Sequence, residues 1–566
     1  MTPVQRVEAA LAADKAHADP AIWITRLPDA AILARARELE AEGPQGRPLW
    51  GVPFAVKDNI DVAGVPTTAA CPAFSFVPAE DAPAVRRLLD AGAVLIGKTN
   101  LDQFATGLVG TRSPYGAPRN GFDARLIPGG SSSGSAWAVA AGIVLFALGT
   151  DTAGSGRVPA GLSNIVGLKP TVGSISARGM LPACRSVDTI SVLARTVDEA
   201  LTIQRVIAAE DDADPYSRRA PYPHLRRAAD SGAERVAMAD VAGLCDPAFA
   251  SAFKQAACFL GAEAVDVSDF LAIARLLYEG PWVAERTSAL RQVVTERPEI
   301  LYPATRAILE TGFERRTVDA FDAFHQLRQM RLRARRLFAK YDALLIPTAP
   351  FAPSLAEVAA DPIEPNRRMG TFTNFANLCD LAGFAVPIGF APDGTPIGGT
   401  LLGPAWSEGR LAPIADRLHR RFSETVGVTG AALPPAEAAC ALASDEIALF
   451  CIGAHMAGLP LNGQVTDLGG RFLREAVTVP EYRLFALGNR PGLVRVADGA
   501  AVQGEVWAMP AASIGPLLAQ VPPPLGFGTV DLADGPTLGF LAEEAGVTGA
   551  RDITAFGGWR SWLRAN

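Results

Sequence analysis

PGGSSSGSAWAVAAGIVLFALGTDTAGSGR, residues 128–157, sets two Gly/Ser loops on either side of an apolar stretch. Ser131 follows Gly129 and Gly130 in the first loop, and Ser155 follows Gly154 in the second. The apolar run 136–149 is too short to span a bilayer. It predicts a buried helix behind the Ser131 loop that continues into a core strand. A serine hydroxyl is a poor nucleophile without a positioned base. No histidine lies between His17 and His224, so a Ser-His-Asp arrangement has no base here. Lysine is the remaining candidate: Lys57 interrupts an apolar run in GVPFAVKDNID, residues 51–61. A lysine at its ordinary pKa of about 10.4 is an acid at neutral pH, but burial penalises the ammonium and lowers that value. A neutral Lys57 can take a proton from Ser131, and Ser131 one from Ser155. The small residues of the second loop let the backbone approach closely, so the N–H groups of Thr152, Ala153, Gly154 and Ser155 can converge on a developing oxyanion.

Taken singly, these features are weak. Gly/Ser loops are most often connectors, and a lone lysine in VPFAVKDN is usually a solvent contact at a strand end. A phosphate cradle is excluded, because no GK[ST] ending follows the loop and no GxGxxG follows a strand with an acidic partner. Together, VPFAVKDNI, PGGSSSGSA and GTDTAGSGRVPAGLSNIVGLKPT resemble the amidase signature family, with the motifs in that family's order. The resemblance implies an α/β fold, the amidase-signature fold, with a large mixed twisted sheet covered by helices. It also implies amide hydrolysis by a Ser-cisSer-Lys triad. Ser155 then matches the nucleophile, Ser131 the bridge after a cis Gly130–Ser131 peptide, and Lys57 the base. The family often has GGSSGGS and DxGGS where this chain has GGSSSGS and DTAGS; Ser133 and Ala153 are small substitutions outside the triad.

The 566 residues exceed one ordinary domain, and 49% hydrophobic with 20% charged residues describes a well-cored globular enzyme. A net charge of −7 gives no basic footprint for nucleic acid. No metal-ligand cluster or cofactor motif is evident, so no cofactor and no metal are expected. Cysteines 71, 184, 245, 258, 379, 440 and 451 form no CxxC pair, which points to reduced thiols and a cytoplasmic setting. The N-terminus MTPVQRVEAALAADKAHADP reads as an amphipathic helix rather than a signal peptide, and no membrane association is expected.

PAVRRLLDAGAVLIG (83–97) predicts helix, glycine stop, then strand; YDALLIPTAP (341–350) predicts a buried strand. GFAVPIGFAPDGTPIGGTLLGP (383–404) predicts two strands joined at Asp393-Gly394. The basic helix 325–341 carries Leu327, Met330, Leu337 and Phe338 on an apolar face, so its charges read as a solvated surface. The expected organisation is an amidase domain over 1–425, a Pro/Gly/Ala-rich linker over 426–444 and a small α+β domain over 445–566.

LLYEGPWVAER (276–286), GAHMAGLPLN (453–462) and GEVW (504–507) extend the resemblance, over essentially the whole chain, to the allophanate hydrolases within that family. That implies a small-molecule substrate, allophanate (urea-1-carboxylate), whose carboxylate meets Arg286 and Tyr278 beside Gly130. Arginine suits the task through its two-pronged fork. The resemblance further implies a γ-glutamyl cyclotransferase-like C-terminal domain with His455 as candidate acid or base, a homodimer, and a functional link to a separate urea carboxylase. By spacing alone, Arg286 reads as a surface salt bridge on a charged helix; a single histidine after a strand, such as His455, is more often structural, and the alternative role for the C-terminal domain is dimer assembly. Two alternatives stay within the family: an amidase of a malonamate-like amide and a tRNA-dependent amidotransferase-type subunit. A catalytically silent scaffold is the alternative from another class, and intact Lys57, Ser131 and Ser155 argue against it.

Overall fold

Pro53–Lys57 is buried at every position, which a strand can achieve only in the middle of a sheet with both faces covered. The computed structural model describes residues 1–566. In it, Pro53–Lys57 pairs in parallel with Val94–Thr99 on one side and Phe146–Asp151 on the other. These strands belong to an 11-stranded mixed sheet. Beyond Phe146–Asp151 the order continues antiparallel through Thr189–Ala194, Val166–Lys169, Leu381–Phe390, Pro396–Pro404 and Ala343–Pro347. Val236–Ala239 and Glu263–Val265 then close one edge in parallel, and Trp23–Arg26 closes the other antiparallel to Val94–Thr99.

The run 136–149 divides as its composition suggests. Ser133–Ala140 is a wholly buried helix, and the chain turns at Gly142 into the strand Phe146–Asp151. Ala, Val and Trp on this helix pack with Val7, Leu11, Ile32 and Ile96 in one cluster. The two strands over 383–404 are joined at a turn where Asp393 Oδ1 accepts the Thr395 N–H and Gly394 takes φ +87°. The basic segment lies in the helix Thr317–Phe338, whose Leu327 and Met330 are buried. No helix is long and apolar enough to cross a membrane.

The chain forms two units that are interleaved in sequence. The larger holds Met1–Arg219, Val236–Phe338 and Ala343–Ala436; the smaller holds Glu437–Asn566 together with Ala220–Arg235 and Ala339–Asp342. The smaller unit has a five-stranded sheet, in the order Arg471–Val477, Gln503–Pro510, Glu446–Cys451, Gly535–Ala542, Leu525–Leu532. A three-stranded sheet and short helices complete it. The segment 220–235 is tied in by Ala229 N–H donating to Phe472 O at 2.9 Å and by Arg226 pairing with Asp445 at 2.8 Å and Glu446 at 3.1 Å.

Phe54 stacks on Phe146 across the two central strands, ring centroids 5.4 Å apart, and both are buried. Phe54→Ala is therefore expected to cost about 3–5 kcal/mol by cavity formation. Denaturant titration of the full chain checks this, and a loss below about 1 kcal/mol would contradict the packing.

Candidate active site

Lys57 ends its strand inside the protein, with no exposed surface. Its Nζ lies 2.8 Å from Ser131 Oγ and 2.7 Å from Thr150 Oγ1, so both polar contacts of the amine are hydroxyls. Burial is the main cause that lowers its pKa to about 7. Asp102, Asp151 and Asp188 pull the value upward, and Arg286 pushes it down.

Ser131 is held by the loop before the helix, and the Gly130–Ser131 peptide is cis. A Cβ on Gly130 would stand 2.2 Å from Asp102 Oδ2 and 2.5 Å from the Gly110 nitrogen, so only glycine fits there. The Gly130 N–H donates to Leu108 O at 2.8 Å. Asp102 in turn accepts the N–H groups of Gly110 and Arg112, both at 2.9 Å, and its own N–H donates to Ser131 O at 3.2 Å.

The second loop is built around Asp151 and Arg157. Arg157 donates Nε to Asp151 Oδ2 and Nη2 to Oδ1, each at 3.0 Å, with both side chains wholly buried. Burial alone would raise the Asp151 pKa, but this guanidinium holds it below the ordinary carboxylate value. The same carboxylate accepts the N–H groups of Gly154 at 3.0 Å and Gly156 at 3.1 Å. This corrects the expected oxyanion set: the Gly154 N–H is turned inward onto Asp151. The N–H groups of Thr152, Ala153 and Ser155 form no hydrogen bond within the protein. Thr373 Oγ1 donates to Ala153 O at 2.6 Å, and Gly154 has φ +117° against Thr373, where a Cβ would meet that side chain at 2.6 Å.

The two loops are joined by Ser132, whose N–H donates to Ser155 O at 3.3 Å and whose Oγ donates to Thr150 O at 3.2 Å. Ser155 is buried, and its hydroxyl makes no hydrogen bond to Ser131. The structure thus forms the Lys57–Ser131 half of the expected relay and brings the Ser155 loop beside it.

Arg286 lies on the helix Trp282–Ala289, which Pro281 precedes, and it is wholly buried rather than on a charged surface. Its Nη1 donates to Ala105 O at 3.1 Å and Thr106 Oγ1 at 2.8 Å, while Nε and Nη2 meet no oxygen or nitrogen acceptor; the guanidinium also lies beside the Cys184 thiol. The guanidinium sits over the Tyr278 ring, 5.2 Å from its centroid, and the Tyr278 hydroxyl is also buried without a partner. Unpaired buried donors are costly.

His455 lies in the smaller unit. Its Nε2 is 2.9 Å from Gln464 Oε1, its ring stacks on Phe540, and burial lowers its pKa. Several contributors escaped sequence reasoning: Thr150, Asp102, Thr373 and Asp188. Asp188 accepts from Thr152 Oγ1 and from the Ala183 and Cys184 N–H groups, and burial raises its pKa to about 6. Asp151 and Arg157 were visible inside GTDTAGSGR itself as two charges in an otherwise small-residue loop.

Residues 6–412 match the family model described as Amidase, and residues 447–564 match the one described as Allophanate hydrolase C-terminal domain. A urea amidolyase of Saccharomyces cerevisiae is 40% identical over 96% of this chain, and the match covers 31% of that protein. The chain therefore spans about a third of the length of such curated relatives. A solved allophanate hydrolase of Kluyveromyces lactis superposes with a TM-score of 0.77 at 39% identity, covering 100% of this chain and 97% of that one. A glutamyl-tRNA(Gln) amidotransferase subunit of Nitratidesulfovibrio vulgaris is 35% identical over 69% of this chain and 87% of its own length.

With a pKa of about 7, roughly one in ten Lys57 side chains is neutral at pH 6 and nine in ten at pH 8. Turnover that uses Lys57 as base must rise with pH, about tenfold in kcat/KM across that interval. A pH–rate profile on an uncharged amide checks this, and Lys57→Arg, cationic throughout, is expected to be inactive.

Proposed function

The chain belongs to the amidase family, and we propose that its reaction is the hydrolysis of allophanate, urea-1-carboxylate. The observation that carries this choice is the buried set of polar atoms without a hydrogen-bond partner, Arg286 Nε and Nη2 with Tyr278 Oη, on a cation that acts through space on Lys57. Allophanate is small and offers little apolar surface to bury. A fixed cation and one directed hydroxyl then supply its orientation. The similarity to the Kluyveromyces lactis allophanate hydrolase supports the same substrate.

Neutral Lys57 takes the Ser131 proton as Ser131 takes the Ser155 proton, and Ser155 Oγ attacks the terminal carbonyl. The negative oxygen that develops is met by the N–H groups left free at Thr152, Ala153 and Ser155, each worth about 2.7–4 kcal/mol where such donors have been removed. The relay returns its proton to the leaving nitrogen, ammonia departs, and an acyl group stays on Ser155. Water, activated by the same relay, releases N-carboxycarbamate, which breaks down further to ammonia and carbon dioxide. The chemistry needs no cofactor. In the smaller unit, His455 is the proposed acid or base for that later breakdown; burial lowers its pKa, so it rests as the neutral imidazole. We place the enzyme in the cytoplasm as a homodimer, downstream of a urea-carboxylating activity, because allophanate is carboxylated urea.

Ser155→Ala is expected to abolish ammonia release from allophanate while calorimetry still detects malonate binding. Residual turnover at more than a trace would move the nucleophile elsewhere. Arg286→Ala is expected to raise KM for allophanate far more than for an uncharged amide, and an equal rise for both would remove its carboxylate role.

A further inference from the structure

A cavity of about 990 Å³ opens in the larger unit, far more room than a molecule of allophanate's size fills. Lys57, Ser131 and Ser155 do not line it, yet three of its lining residues touch or adjoin residues that surround the site. Tyr278 lines it and carries the Arg286 guanidinium on its ring. Arg112 lines it and is fixed by its N–H to Asp102, the residue whose carboxylate packs against Gly130. Asn374 lines it beside Thr373, which holds the Ala153 carbonyl.

The charges on this wall are unequal, five arginines against two glutamates. Arg367 is neutralised by Glu364 at 2.6 Å, and Arg368 faces Asp246 at 3.5 Å. Arg112, Arg275 and Arg315 form no ion pair: the Arg112 guanidinium donates to the carbonyls of Thr106 and Pro362, with Asp102 acting on it through space, and Asp319 acts likewise on Arg315. Their exposure grades inward. Arg275 is exposed, Arg315 is half-buried with an unpartnered Nε, and Arg112, like Arg286 behind Tyr278, is buried. Arg275 and Tyr278 stand three residues apart across a 3-10 turn, the spacing that puts two side chains on one side, and both line the cavity.

We propose that this cavity is an anion-guiding vestibule, in which Arg275 and Arg315 capture small carboxylates and pass them by Arg112 to Tyr278 and Arg286. A cleft lined by one sign of charge with low-dielectric walls focuses the field and raises the local concentration of a counter-charged substrate by about 10- to 1000-fold in rate. The proposal rests on the carboxylate-bearing substrate argued above. It adds that selection for the anion begins before the substrate reaches Arg286.

The test compares full-length wild type with an Arg275→Gln/Arg315→Gln double variant, using allophanate and an uncharged amide. At about 0.01 M ionic strength, where screening is weak, the preference for allophanate in kcat/KM is expected to fall about tenfold in the double variant. At about 0.3 M salt the two proteins should converge. Glu279→Gln removes a negative charge from the same wall and should shift the preference the opposite way, a gain that misfolding does not produce. An unchanged preference, or equal losses on both amides, overturns the vestibule. If wild type hydrolyses the uncharged amide and not allophanate, the substrate assignment has failed on its own. Malonate calorimetry then decides the vestibule: about tenfold weaker binding in the double variant at low salt supports it, and equal binding overturns it.

Discussion

A buried primary amine held by two hydroxyls governs everything else in the larger unit. Lys57 touches Ser131 and Thr150, and no carboxylate pairs with it directly. Three aspartates still act on it through space and favour the ammonium. Each is committed elsewhere: Asp102 to the Gly110 and Arg112 N–H groups, Asp151 to Arg157 and two backbone N–H groups, Asp188 to Thr152 and the 183–184 turn. Those donors absorb much of the negative charge. Desolvation therefore wins, and the amine sits where it can change protonation near neutral pH.

The same commitments shape the second loop. With Asp151 drawing Gly154 and Gly156 inward and Thr373 fixing the Ala153 carbonyl, the remaining N–H groups are left pointing at no protein acceptor. A rigid loop with unspent donors is what oxyanion stabilisation requires, since the dipoles need no rearrangement as charge develops. Arg286 and Tyr278 likewise hold buried polar atoms with no hydrogen-bond partner in the protein.

Much of this was legible in the chain. The fully apolar strand before Lys57, the helix-then-strand division of 136–149 and the turn at Asp393-Gly394 all follow from local composition, and the structure has them. What escaped depends on distance in sequence. Thr373 and Asn377 meet the Ser155 loop from more than two hundred residues away, and nothing local to them marks the contact. The inward turn of the Gly154 N–H required knowing where the Asp151 carboxylate points. Spacing alone placed Arg286 on a charged surface helix, whereas long-range packing buries it completely. The smaller unit likewise draws in residues 220–235, a segment no sequence signal joined to it.

The protonation state of Lys57 is the claim to measure. Site-resolved NMR titration of an isotope-labelled lysine at position 57, in a Ser155→Ala background that keeps the site intact, reads it without any turnover. A midpoint near 7 is expected. A midpoint near the ordinary lysine value of about 10.4 would mean a cation at the centre of the site and would contradict the mechanism.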